Sequence, residues 1–316
     1  MKILFITSNR LGDGVLSTGA LDYLLKKYPG AQVTVACGPL VAGIFAAVPG
    51  VTNVIPLKKQ RMSGHWLKLW QETVGTRWDI IVDLRNSLVS RLLRGDKKYI
   101  WCKPDNKLHK VQQIASLIGA DVTTPPAPRL WFDAATLAQA EKLVPKGSPV
   151  IAVGPAANWP AKTWPAENFN ALIARLTAQD GSLPNARIAV FAAPGEEETA
   201  RKVLNAVPIE RRIDGIGWTS PLLAAAAIQR CDLYIGNDSG LMHCAAAVGT
   251  KTLGLFGPSR PEHYRPWGPH CAYVSTPKTF DELIDYPGYD PKTAPCLMTS
   301  LTVDMAESAA KQLPKI

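Results

Sequence analysis

Hydrophobic and polar positions along this chain alternate between two rhythms. Residues 2–7, Lys2-Ile3-Leu4-Phe5-Ile6-Thr7, form an apolar run of the kind that a parallel strand covered on both faces requires. A turn-rich stretch follows, Asn9-Arg10-Leu11-Gly12-Asp13-Gly14. Residues 15–28 then read as a helix, with Leu16, Ala20, Leu24 and Leu25 as its apolar stripe and Pro29-Gly30 as its stop. The pattern continues with a strand at 32–37, a short helix at 41–48 and a strand at 51–56. A helix at 66–74 and a strand at 79–84 come next. Strands alternating with helices predict a parallel sheet with right-handed crossovers.

The rhythm breaks at Thr123-Thr124-Pro125-Pro126-Ala127-Pro128. After a helix at 134–143 it breaks again, at Pro145-Lys146-Gly147-Ser148-Pro149. It resumes with a strand at 150–153, a helix at 166–178, a strand at 186–192 and helices at 196–206 and 221–229. A strand at 232–235, a helix at 239–248 and a strand at 252–256 complete it. The fold class expected is α/β, with two Rossmann-like, doubly wound domains over 1–147 and 148–316. The last helix, from about residue 304, is expected to pack back on the first domain. Two such domains place a cleft between the carboxyl ends of two sheets, where ligands of open α/β sheets bind. Asp13 and His243 are expected to face it. At 316 residues, 47% of them hydrophobic, the chain has enough apolar material for two cores.

Composition narrows the picture. No apolar run reaches the ~18 residues of a spanning helix. The opening segment is too short for a secretion signal and reads as the first strand, so a cytoplasmic protein is expected. The six cysteines, Cys37, Cys102, Cys231, Cys244, Cys271 and Cys296, include no C-x-x-C pair and match no zinc module, which suits free thiols in a reducing compartment. His65, His109, His263 and His270 show no ligand spacing, and no metal is expected. P-loop and G-x-G-x-x-G motifs are absent, against a kinase or a dehydrogenase.

The net charge of +9 is uneven. The first 100 residues hold 14 Lys/Arg against 6 Asp/Glu, and Lys58, Lys59, Arg61, Arg85 and Arg91 belong to that excess. Such a patch suits an anionic partner, whether a phosphorylated substrate or an acidic lipid surface. It equally suits a solvated basic face. With no recognition helix or RNA-binding signature, nucleic acid is not an expected partner.

The strongest constellation runs from Cys231 to Pro258. A strand is followed by the turn Gly236-Asn237-Asp238-Ser239-Gly240 and by a helix continuing through Leu241-Met242-His243. A helix start presents unpaired N–H groups and a positive dipole end. Gly240 lets a phosphate approach closely, which together makes a diphosphate site without a metal. Ser239 and His243, four apart, share one helix face. An ordinary strand–turn–helix, capped by Asp238 or Ser239, would read the same way.

Asn237-Asp238-Ser239-Gly240-Leu241-Met242-His243, followed by Ala245-Ala246-Ala247-Val248-Gly249-Thr250-Lys251-Thr252-Leu253-Gly254-Leu255-Phe256-Gly257-Pro258, resembles the glycosyltransferase family of the bacterial lipopolysaccharide heptosyltransferases. Four further segments agree in order. These are Gly12-Asp13-Gly14, Lys162-Thr163-Trp164-Pro165, Gly217-Trp218-Thr219-Ser220-Pro221-Leu222 and Cys296-Leu297-Met298. The resemblance implies a GT-B fold and an inverting transfer without a metal or other cofactor. A sugar such as heptose would pass from a nucleotide-diphosphate donor, ADP-heptose or similar, to an anionic glycolipid or phosphorylated glycan. The protein would be cytoplasmic, with contact to the inner-membrane surface. The resemblance makes Asp13 the general base and Lys162 the cation that meets charge on the leaving diphosphate. It gives Glu196 the ribose hydroxyls. Asn237, Asp238, Ser239, Gly240, Leu241 and His243 complete the donor site, while Lys58, Lys59, Arg61, Arg85 and Arg91 would meet the acceptor. Where family members often carry hydroxyl side chains, this chain has Ala157-Asn158-Trp159-Pro160-Ala161. By residue chemistry alone, Asp13 also reads as a helix cap, and Lys162 as a surface lysine. Two other functions stay open: a nucleotide-sugar-binding protein without turnover, and another two-Rossmann enzyme such as an epimerase.

Overall fold

A computed structural model describes residues 1–102, 105–290 and 293–314; the side chain of Arg61 lies outside the described residues. The chain divides into two compact units, Met1–Trp131 and Phe132–Ile316.

The first unit is built from β1 (Lys2–Ile6), α1 (Leu11–Lys27), β2 (Gln32–Cys37), α2 (Pro39–Ala46), β3 (Val51–Pro56), α3 (Gly64–Thr73), β4 (Trp78–Asp83), α4 (Leu88–Leu92), β5 (Gly95–Ile100) and α5 (Lys110–Ile118). Its five parallel strands run in the order β3-β2-β1-β4-β5. The central strand β1 is buried on both faces, which explains its unbroken apolar run. Ile3 and Phe5 pack with α1, α2 and α5. Leu4 and Ile6 pack on the opposite side with Leu69 of α3 and Val89 of α4.

Helix α1 starts at Leu11 rather than at residue 15. Gly12-Asp13-Gly14 is its first turn, and Arg10 occupies the cap position. Asp13 therefore lies inside the helix and caps nothing, contrary to the capping expectation. Its carboxylate still sits at the positive end of the helix.

The second unit contains α6 (Ala134–Leu143), β6 (Val150–Gly154), α7 (Ala166–Thr177), β7 (Arg187–Ala192), α8 (Glu197–Asn205), β8 (Arg212–Ile216) and α9 (Pro221–Ile228). It continues with β9 (Leu233–Asn237), α10 (Gly240–Ala247), β10 (Lys251–Phe256), α11 (Pro261–Tyr264), β11 (Cys271–Ser275), α12 (Phe280–Ile284) and α13 (Val303–Lys311). Its parallel sheet runs β11-β10-β9-β6-β7-β8, so strand order reverses between β6 and β9. That reversal is the place where open α/β sheets bind ligands, just beyond the carboxyl ends of the two strands. Gly154 and Gly236 pair there in register. A Cβ on either glycine would strike the buried Tyr234 hydroxyl, so the two glycines make room for that ring.

The division falls before residue 147, the position expected from the second proline-rich break. The first break belongs to the first unit. Pro126 and Ala127 lie so close over Gly19 of α1 that a Cβ there would meet their backbone, and the Arg129 N–H donates to Thr18 Oγ1 at 3.0 Å. Helix α6 instead packs on α9, and Arg230 Nε donates to the Val144 carbonyl at 2.7 Å. Within its own unit, α13 packs on α7 and β11, burying Ala306 and Ala309. Arg175 of α7 holds it through Asp304 at 2.5 Å and Glu307 at 2.9 Å.

Candidate active site

In the second unit the site grows from the end of β9. Asn237 is fully buried. Its Oδ1 accepts the Trp164 N–H at 3.1 Å, and its Nδ2 donates to the Pro155 carbonyl at 2.8 Å. One side chain thus fastens the loop after β6 to the carboxyl end of β9. The Trp164 ring anchors the same loop in the core, where its indole N–H donates to Leu301 O at 2.8 Å.

The fastened loop delivers Lys162. Its ammonium lies 2.5 Å from Asp238 Oδ2 and 4.8 Å from the Trp159 ring centre. His243 Nε2 stands 4.0 Å from the other Asp238 oxygen. Ser239 is extended and occupies the cap position of α10, yet its side chain makes no capping bond. Helix α10 therefore begins at Gly240 with neither Asp238 nor Ser239 as a side-chain cap, and its first-turn N–H groups are left for another acceptor. A cation, an imidazole and a helix N-terminus thus meet at the strand reversal. That set of groups suits a diphosphate. The pairing of Lys162 with Asp238 was not part of the expectation for this segment.

Glu196 is placed beside the same loop. It forms the cap position of α8 and lines a cavity of about 480 Å³ with Ala156, Thr163, Trp164, Lys202 and Cys296. Burial raises its carboxyl above the ordinary value, while a hydrogen bond from the Ala193 N–H acts in the opposite direction. Among the described residues, no three His, Cys, Asp or Glu side chains gather as a metal would require.

In the first unit a cavity of about 310 Å³ opens beyond the carboxyl ends of β1 and β4. Asp13 lines it, and Ser8 Oγ donates to Asp13 Oδ2 at 3.2 Å. Three cations share the lining: Arg10, Arg85 and Lys110. Arg85 Nη1 donates to Asn9 Oδ1 at 3.1 Å. The turn that carries Arg85 is held by buried Asp83, which accepts the Arg85 and Ser87 N–H groups at 2.7 Å each. The Lys110 ammonium sits 3.8 Å from the Trp101 ring centre. Burial lowers the Lys110 pKa, and the nearby Asp13 charge partly restores it.

The four expected acceptor residues with described side chains do not gather in one place. Arg85 joins Asp13. Arg91 turns to Asn86, donating to its Oδ1 at 2.6 Å, and does not line the cavity. Lys58 and Lys59 are exposed just after β3, away from its lining. The Arg61 side chain lies outside the described residues. Arg10 and Lys110, which do line the cavity, were not among the expected residues. Arg10 lies two residues before the Gly12-Asp13-Gly14 segment and was legible there. Lys110 is brought to Asp13 by tertiary packing alone.

The family model described as glycosyltransferase family 9 (heptosyltransferase) matches residues 98–282. The chain belongs to glycosyltransferase family 9. It is 26% identical over 307 residues to lipooligosaccharide heptosyltransferase 2 of Haemophilus influenzae, covering 84% of this chain and 86% of that protein. The glycosyl transferase family 9 structure from Veillonella parvula superposes with a TM-score of 0.80 at 20% identity, over 98% of this chain and 96% of that one. The Escherichia coli heptosyltransferase WaaC with ADP-2-deoxy-2-fluoro heptose superposes with a TM-score of 0.70 at 19% identity, over 99% of both chains. The two Rossmann-like units and these likenesses define the fold as GT-B.

Proposed function

We propose that this enzyme is an inverting glycosyltransferase that moves a heptose from ADP-heptose, or a similar nucleotide-diphosphate sugar, to a lipopolysaccharide-core or related glycan. It does so without a divalent metal. The observation that carries the reading is the meeting of Lys162, His243 and the uncapped N-terminus of α10 at the strand reversal. The nucleotide bound by the E. coli relative supports the choice of donor.

In this reading the donor diphosphate lies against the N–H groups of Ser239, Gly240 and Leu241. Lys162 supplies positive charge and His243 an imidazole N–H, Asp238 orients both, and Glu196 accepts the ribose hydroxyls. Asn237 keeps the two loops together. The acceptor is held in the first unit by Arg85, joined by Arg10 and Lys110, with Lys58, Lys59, Arg61 and Arg91 meeting more distant anionic groups. Asp13 takes the proton from the acceptor hydroxyl as that oxygen attacks the anomeric carbon. The bond from the anomeric carbon to the diphosphate oxygen breaks on the opposite side, which inverts the configuration. The nucleoside diphosphate leaves with its new charge met by Lys162 and the helix N-terminus. The enzyme acts in the cytoplasm, at the inner surface of the inner membrane; no helix among the described residues is long and apolar enough to cross it.

The experiment is a thermal-shift screen of nucleotide sugars with chelator present. ADP-heptose should raise the Tm of the wild type, by linkage, more than UDP- or GDP-sugars do. The Gly240→Val variant, with its helix start obstructed, should lose that shift. A Tm that rises with ADP-heptose only after magnesium is restored would overturn the metal-free donor site.

A further inference from the structure

Helices α3 and α4 carry apolar side chains on the side away from the core. Both cover the sheet face formed by Leu4, Ile6 and Ile81, and both bury an ordinary inward stripe there: Leu69 from α3, Val89 and Leu93 from the α4 segment. Each also has a second stripe. On α3 it is Leu67, Trp70 and Val74, at spacings of three and four, all exposed. On α4 it is Leu88 and Leu92, one turn apart. Leu67 is 59% exposed, Leu88 68% and Leu92 63%. Met62, in the turn entering α3, is exposed as well. The two helices pack against each other, and their inward stripes face the same sheet. Their outward stripes therefore form one surface directed away from it. A helix at the surface of a globular protein normally presents charged and polar side chains there.

The chain beside these stripes is basic. Lys58 and Lys59 precede the turn of Met62, Arg91 lies within α4, and Arg94 follows it; all four are exposed. None of the four forms an ion pair among the described residues, and the one carboxylate of α3, Glu72, is matched by Lys68 at 3.7 Å. Apolar side chains that include a tryptophan, flanked by long cationic ones, have the composition of a segment lying in a membrane interface.

We propose that this surface docks the protein on an anionic lipid bilayer. Leu67, Trp70, Leu88 and Leu92 enter the headgroup layer, and Lys58, Lys59, Arg91 and Arg94 meet lipid phosphates. The charge selects this occupant over a second copy of the chain, because a two-fold contact through the patch would bring its basic residues against one another. The inference deepens the proposed action on a glycolipid by naming the surface that meets the lipid. Its test reads lipid binding alone, so it stands or falls separately from the sugar chemistry.

The experiment is co-sedimentation of the full chain with phosphatidylethanolamine–phosphatidylglycerol vesicles and with phosphatidylcholine vesicles. The wild type should bind the anionic vesicles at least about ten-fold more tightly, and rising salt should weaken that binding. The triple variant Leu67→Ser, Leu88→Ser, Leu92→Ser should lose most vesicle binding while keeping its Tm and its ADP-heptose shift, since all three side chains are exposed. The variant Lys58→Ser, Lys59→Ser, Arg91→Ser, Arg94→Ser should lose the preference for anionic lipid. A wild type that stays in the supernatant with both vesicles would overturn the proposal, as would a triple variant that binds like wild type. Dimerisation in sedimentation velocity, abolished by the triple variant and unaccompanied by vesicle binding, would assign the patch to a second copy instead.

Discussion

Lys162 and Asp238 are 76 residues apart in sequence, yet their ammonium and carboxylate meet at 2.5 Å beyond the ends of β6 and β9. Both side chains are largely buried, 14% and 9% exposed. Each meets the other's charge, and in the proposed donor site a diphosphate would compete with Asp238 for the same cation. Removing one partner strands the other charge, which typically costs about 3–5 kcal/mol. Lys162→Met should lose stability on that scale in chemical denaturation of the unligated protein. The double change Lys162→Met, Asp238→Leu should recover most of it. Turnover should not recover. If Lys162 acts on the leaving group, kcat should fall roughly 100- to 1,000-fold, more than donor affinity does. Equal losses in kcat and donor affinity would make Lys162 a simple binding residue.

Glu196 offers a test in which stability and binding move in opposite directions. Burial raises its carboxyl above the ordinary 4.5. The native state therefore favours the protonated form. The stability this group contributes is complete below the unfolded value and is lost as pH rises through the higher native one. Glu196→Gln should accordingly raise Tm at neutral pH, with the gain vanishing as pH falls below 4.5. Donor affinity should meanwhile fall roughly ten- to hundred-fold, the usual value of hydrogen bonds to a charged acceptor. A variant that gains stability and still binds ADP-heptose like wild type would release Glu196 from the donor site.

Lys110 is the cation that sequence spacing did not reveal. Its pKa is lowered from 10.5 by burial. The charged form is thus less favourable in the folded state, and the resulting loss of stability applies below the folded pKa and disappears above 10.5. Lys110→Met should stabilise the protein at neutral pH, and the gain should shrink as pH rises toward that value. The same change should raise the acceptor KM by about ten-fold and reduce its dependence on salt, leaving donor affinity unchanged. Calorimetry across pH and acceptor titrations at two ionic strengths measure both effects. An unchanged acceptor KM would remove Lys110 from the acceptor site.

What the sequence made legible follows from what is local. Strand β1, Lys2–Ile6, falls within the expected 2–7, and the turn from Gly236 into α10 was visible, because an apolar run and a glycine-bounded turn are signals of adjacent residues. Strand β5, Gly-Asp-Lys-Lys-Tyr-Ile, was missed because it is an edge strand, partly solvated, with no apolar run to show. Helix α4 has five residues, too few for a period. The start of α1 was set four residues late because Gly12 and Gly14 read as loop. The pairing of Lys162 with Asp238, and of Lys110 with the Asp13 cavity, depends on which strands and helices become neighbours. That information lies in sheet order, and no single stretch of sequence carries it.

Proposed transfer with inversion, with Asp13 as base and no metal, can be followed by incubating the protein with ADP-heptose and a heptose-deficient lipopolysaccharide core in chelator and analysing the product by mass spectrometry and NMR. One heptose should be added for each ADP released, with the anomeric configuration inverted. In Asp13→Asn, kcat should fall ~100- to 10,000-fold while donor affinity stays near wild type. A product with retained configuration, or an Asp13→Asn enzyme that turns over like wild type, would contradict it.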